Sequence, residues 1–204
     1  MSKSVDYSSI TQLNISYKEL EVLPDLSMYT NLKILNCSQN KLTSLDNLPS
    51  NLEVLNCNEN QLTSLDNLPH GLLELYCSFN NLTSLDNLPY GIQKLVCNYN
   101  QITSLDNLSP SLLELYCSWN QITSLDNLPS NLENLNCRHN LIKSLDNLHI
   151  GLKSLNCYDN LITTLDNLPS SLKELHCLYN PFIYDFNPTL RNIREYNYSR
   201  IVVN

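Results

Sequence analysis

Eight cysteines recur at a spacing of twenty residues: Cys37, Cys57, Cys77, Cys97, Cys117, Cys137, Cys157 and Cys177. They are all the cysteines in the chain. A regular thiol ladder has four chemical readings. Disulfides between stacked positions put Cα atoms ~4.8 Å apart, but parallel Cβ vectors then stay wider than the ~3.8 Å a disulfide prefers. Zinc needs about four ligands around one point, whereas a line of single thiols brings two near any ion. A nucleophile is singular and has its own base. The fourth reading is packing, because a free cysteine behaves as a small hydrophobe. Packing is the reading that fits eight equivalent thiols, and it predicts no catalytic residue and no metal ligand among them.

Two polar columns repeat in step with the thiols. Asn40 and its equivalents through Asn180 suit a structural role, since a buried amide satisfies backbone groups where the chain turns. The Asp of "LDN", from Asp46 to Asp166, is expected to accept hydrogen bonds from turn N–H groups. Its alternative is a cation-binding strip, which the absence of a dense multi-carboxylate loop disfavours. A Thr column from Thr43 to Thr163 superficially suits ice binding, but Lys143 interrupts it and no second Thr column stands beside it.

These columns belong to a repeat, L-x-x-L-x-C-x-x-N-x-L-x-x-L-D-N-L-P-x-x. Units begin at Leu32, Leu52, Leu72, Ile92, Leu112, Leu132, Leu152 and Leu172, and the last loses the pattern after Phe182. A looser unit, two residues longer, precedes them with Ile10, Leu13, Ile15, Leu20, Leu23 and Leu26. The alternation in L-x-C suits a short strand with Leu and Cys inward. "SLDNLP" suits turns and extended backbone. One unit cannot bury its apolar side alone, but stacked units can.

The pattern L-x-x-L-x-L-x-x-N-x-L is the leucine-rich repeat signature, with Cys in the third apolar place. "SLDNLPSNLEVL" resembles the short, twenty-residue type of bacterial effector proteins, which usually has Pro where this chain has Asp46 and its equivalents. Asn-rich, Cys-bearing repeats of this kind are similar to those encoded by giant viruses of amoebae. The resemblance implies a leucine-rich repeat solenoid: right-handed coils, one short parallel strand per repeat, a mostly irregular or extended convex side, and terminal caps. Residues 1–31 make the N-terminal cap with its divergent first repeat, residues 32–182 the eight repeats, and residues 183–204 the C-terminal cap. In that cap "FNPTLRNIREYNYSR" predicts a helix with Asn187 as N-cap, Pro188 as first helical residue, and Leu190 and Ile193 over the last coil.

Charge and hydropathy remove several function classes. The 12 basic against 20 acidic residues give a net charge of −8, which disfavours a nucleic-acid backbone as partner. The recurring Asp carries most of that excess. No run reaches the ~18 apolar residues of a membrane span, and the N-terminus lacks a signal-peptide core. The expectation is an intracellular protein with reduced thiols; a viral origin would place it in the host cytoplasm. No cofactor is implied. The segment after the repeats is too short for a catalytic domain, so the chain reads as a non-enzyme.

Function is then expected on the variable columns. If the strand points Leu and Cys inward, the columns of Ile34, Asn36, Ser38 and Gln39 face outward and pave the concave side. The Asn36 and Gln39 columns together place Tyr76, Phe79, Tyr99, Tyr116, Trp119 and His139 in mid-array, between polar flanks. The same columns accept Gln, Glu and Asp elsewhere, so the core does not require these rings. Contiguous exposed aromatics mark interaction sites. The reading is a module that binds a protein partner, of the host if the chain is viral, with self-association through the same face as a further outcome. Two alternatives are kept: rings that only stiffen the sheet, and rings that stack on a carbohydrate.

Overall fold

The computed structural model describes residues 6–203, with side chains described to residue 200. A 3₁₀ turn at Tyr7–Ser9 leads into nine three-residue strands and one terminal helix. The strands are β1 (Gln12–Asn14), β2 (Ile34–Asn36), β3 (Val54–Asn56), β4 (Glu74–Tyr76), β5 (Lys94–Val96), β6 (Glu114–Tyr116), β7 (Asn134–Asn136), β8 (Ser154–Asn156) and β9 (Glu174–His176). They form one parallel sheet in sequential order. Leu35 pairs with Leu55, Leu55 with Leu75, and so on in strict twenty-residue register, while Leu13 pairs with Leu35 across the longer first unit.

The repeat's apolar columns explain this stacking. Leu32, Leu35, Cys37 and Leu42 are fully buried, and their equivalents in the next five coils are at most 2% exposed. Each coil contributes several such side chains, and each buried Leu is worth about 1.5–3 kcal/mol. The described strand ends one residue before the cysteine. The ladder continues all the same, with Cys37 N donating to Asn56 O at 2.8 Å and Gln39 N to Asn58 O at 2.9 Å.

The Asn column behaves as its chemistry demands. Asn100 Nδ2 donates to Cys77 O at 3.0 Å and Cys97 O at 3.1 Å, while its Oδ1 accepts Leu82 N at 3.0 Å. One amide thus closes its own turn and ties it to the coil before. The Asp column differs from expectation. Asp106 Oδ2 accepts Ser104 Oγ at 2.6 Å, and its Oδ1 accepts the Asn127 side-chain amide of the next coil at 3.1 Å. The partners are side chains of "S-x-D-N" rather than turn N–H groups, because the Asn that follows each Asp reaches its amide back to the Asp one coil before, from Asn67 to Asp46 through Asn167 to Asp146.

The C-terminal helix α1 spans Leu190–Val203. Its cap is Thr189, whose Oγ1 accepts Asn192 N at 3.2 Å, and not Asn187. Asn187 lies before the helix and offers its carbonyl to Asn192 Nδ2. Ile193 is fully buried and Leu190 packs half-buried, as their spacing predicts. Arg194 and Asn197 donate to Leu172 O at 2.7 Å and Leu165 O at 3.1 Å, satisfying carbonyls of the last two repeats.

Candidate interaction face

Every cysteine is buried, none is paired, and relative exposure is at most 2%. Burial pushes the Cys37, Cys97 and Cys137 thiols up to about 12 and Cys177 to about 11, and carries the others well above 9.0. A thiol held this far from ionisation is a poor nucleophile and a poor metal ligand.

The rings follow from a backbone constraint. Each coil turns off its strand through one residue in the left-handed region, with φ between 53° and 59° from Gln39 to Tyr179. That conformation costs an L-residue about 1–2 kcal/mol, and Asn or Gly would tolerate it better. Here the column holds Phe79, Tyr99, Trp119 and His139 instead. Their rings stack coil on coil, at centroid distances of 4.3 Å (Phe79–Tyr99), 5.3 Å (Tyr99–Trp119) and 3.8 Å (Trp119–His139). His139 Nδ1 lies 2.6 Å from Asp159 Oδ2 at one end, and Gln39 Nε2 donates to Glu59 at 2.9 Å at the other. Ring faces are therefore spent on one another, and ring edges face solvent: Phe79 is 50% exposed and Trp119 41%.

Tyr76 and Tyr116 stand apart from that stack. They lie half-buried on β4 and β6, with Val96 between them in the sheet. Tyr76 Oη donates to Glu74 at 2.7 Å, and burial together with that carboxylate pushes its phenol up, keeping it a neutral donor. Lys94 pairs with Glu114 at 2.9 Å and lies 5.7 Å from the Tyr116 ring centre. No described ring contact joins either tyrosine to the stack, so the six candidates divide into a column of four and a pair. The Ser38 column is also less outward than expected. Ser38, Ser78 and Ser118 are buried, and Ser118 N donates to Asn98 Oδ1 at 2.8 Å, which makes this column a polar seam between coils.

Sequence reasoning missed part of the surface. Tyr158 continues the ring series, 5.5 Å from His139 and 4.9 Å from Tyr179. Leu141 and Leu161 are exposed nearby in sequence, in a column that holds Lys, Gln or Asn in the first five repeats. The signal was legible: that column changes from polar to aliphatic at the sixth coil.

One solved structure shares both the fold and its most unusual column. The functional domain of InlJ from Listeria monocytogenes, which includes a cysteine ladder, is 35% identical with a TM-score of 0.73 over 86% of this chain and 41% of its own. The chain is a leucine-rich repeat solenoid. YopM from Yersinia enterocolitica is 34% identical, with a TM-score of 0.72 over 89% of this chain and 44% of its own. A Shigella effector leucine-rich repeat domain is 26% identical, with a TM-score of 0.63 over 97% and 78%. These likenesses are to bacterial effector and internalin repeat domains, and support a leucine-rich repeat protein of the effector-like type. The chain spans less than half the length of the first two. No protein-family model and no curated protein matches the sequence. Among the described residues, no helix of the solenoid is long and apolar enough to cross a membrane.

Proposed function

We propose that this leucine-rich repeat solenoid is a non-enzymatic protein-interaction module whose partner docks on the exposed edges of Phe79, Tyr99, Trp119 and His139, with Tyr76 and Tyr116 as secondary contacts. The observation that carries this reading is the occupancy of the left-handed column. Bulky rings sit where Asn would cost less, and cross-coil stacking at about 0.5–1.5 kcal/mol per contact offsets that cost. Their edges remain in solvent, and Trp and Tyr are the residues that dominate binding hot spots. The effector-like repeat type favours a host-cell protein as the partner class. Face-to-face stacking of the rings argues against a sugar lying on this column, since a sugar would need a free ring face.

The stack also changes what a test must do. Trp119→Ala removes two ring contacts, each worth about 0.5–1.5 kcal/mol, so a loss of stability accompanies any loss of binding. Trp119→Phe keeps a stacking ring and trims the exposed edge. The decisive experiment pairs thermal melts with cross-linked capture from host lysate for wild type, Trp119→Phe and Trp119→Ala. The reading expects Trp119→Phe to melt near wild type and to capture its partner roughly tenfold more weakly. An unchanged set and yield of captured proteins for both variants would leave the rings with a stiffening role only.

A further inference from the structure

A second feature of the concave sheet is polar and separate from the ring column. A shallow hollow of about 340 Å³ lies over β6–β9. Tyr116, Asn136, Asn156 and His176 line it, each from the same register position of consecutive strands. The two rings therefore stand ~14 Å apart, three strand spacings, with two amides between them. Ser154 and Glu174 flank the amides from the neighbouring column.

The hydrogen bonds within the hollow are incomplete in a particular way. Asn136 Oδ1 accepts Ser118 Oγ at 3.0 Å, and Asn156 Oδ1 accepts Tyr158 N at 3.2 Å. These bonds fix the amide planes and occupy their oxygens, while neither Nδ2 donates to a described group. Ser154 Oγ donates to Glu174 Oε2 at 3.1 Å, which leaves the other carboxylate oxygen as an acceptor. Fixed amide donors, a carboxylate acceptor and bordering rings thus share one rigid floor. An apolar anchor is missing, because Leu135 is the aliphatic lining residue and is only 2% exposed. The centre of a protein interface is built on such anchors, so this hollow does not suit a hot spot. Its donors and acceptors instead match vicinal hydroxyls, with rings to meet the C–H faces of a ligand. Glu174 is the one carboxylate among the lining residues and no Lys or Arg stands beside it there, which disfavours an anionic sugar and suits a neutral ligand.

We infer that this hollow is a carbohydrate subsite for one or two sugar rings of a neutral glycan. It is independent of the protein-binding reading and uses none of the stacked rings. Tyr116 alone belongs to both surfaces.

The test is titration of the full chain with tri-N-acetylchitotriose, cellotriose, mannotriose and maltotriose, followed by the side-chain amide resonances of Asn136, Asn156 and Asn36. Asn36 is an internal control, since its Oδ1 is held in the same way by Ser38 N at 3.0 Å but it lies outside the hollow. At least one trisaccharide should shift Asn136 and Asn156 and leave Asn36 still. Asn156→Asp preserves the acceptor that holds the turn and removes the donor, and His176→Ala removes a wall. Each should weaken the sugar roughly tenfold. Trp119→Phe should leave sugar binding unchanged even where it weakens protein capture. No response to any of the four sugars overturns the proposal, as does an equal shift at Asn36. Loss of protein capture in Asn156→Asp without a sugar response would assign the hollow to a protein interface instead.

Discussion

At the scale of single residues, the contrast between two polar columns is open to direct measurement. Asn100 is buried, and Asn100→Ala strands Leu82 N, while Cys77 O and Cys97 O each lose one donor and keep the Asn80 or Asn120 amide. Each buried unsatisfied group costs about 1–3 kcal/mol, and thermal or urea unfolding should show a loss in that range or above. Asp106 lies on the surface, where Ser104 Oγ and the Asn127 amide hold its carboxyl below the usual range. Asp106→Asn keeps an acceptor for the Asn127 amide and turns its NH2 to Ser104 Oγ, which can accept it, and at this exposed site stability should move by no more than about 0.5 kcal/mol. Equal shifts for the two variants would contradict the assignment. The thiols give a second residue-scale expectation. All eight should resist a soluble thiol reagent in the native protein and react together on unfolding, as counted by intact mass. Rapid native labelling of several would show that the ladder opens.

At the scale of elements, α1 closes a coil that would otherwise present an open edge. Ile193 is its buried contact, while Leu190 is half-buried. Ile193→Ala should cost about 2–5 kcal/mol, and hydrogen exchange should show the last coil loosening before the middle ones. Leu190→Ala should cost less. An unchanged exchange pattern in the Ile193 variant would mean that the helix covers the coil without stabilising it. The short strands have a different logic. Each contributes three residues, too few to persist alone, so its stability is that of the stack. The strand was foreseen from L-x-C, but its end at Asn36 was not, because the backbone bends into the left-handed residue at Gln39 to reach the convex side.

At the scale of the whole molecule, the buried thiols couple the fold to alkaline pH. Their folded pKa values are raised above the unfolded value near 9, so the folded state holds more protons between that pH and about 12. Stability is therefore fully present below about pH 9 and is lost as pH rises through the folded values. The slope approaches roughly 1.4 kcal/mol per pH unit for each thiol involved. Summed over a ladder that unfolds cooperatively, the midpoint in urea should fall steeply between pH 9 and 11. A flat profile there would mean that the thiols are not shielded in the fold. The solenoid's rigidity has a functional counterpart, because nine strands in one register hold the exposed rings at fixed spacing.

The sequence by itself determined the coil. A period of twenty, the Leu and Cys columns, and the Asn that closes each turn left one way to bury the apolar face, which is to stack identical units. The internal comparison of repeats also picked out the rings, since Phe79, Tyr99, Trp119 and His139 replace polar residues in an otherwise permissive column. Which surface of each ring meets solvent was decided only in three dimensions. Ring planes are set by the left-handed backbone and by the neighbour one coil away, and neither is written in a single repeat. The same holds for the Asp column, which is bonded by an Asn of the next coil as well as by a Ser of its own, and for Tyr116, which the sequence grouped with Trp119 and the sheet places beside Asn136. Periodicity specifies which columns coincide. The turn angle and the reach of each side chain decide which columns touch.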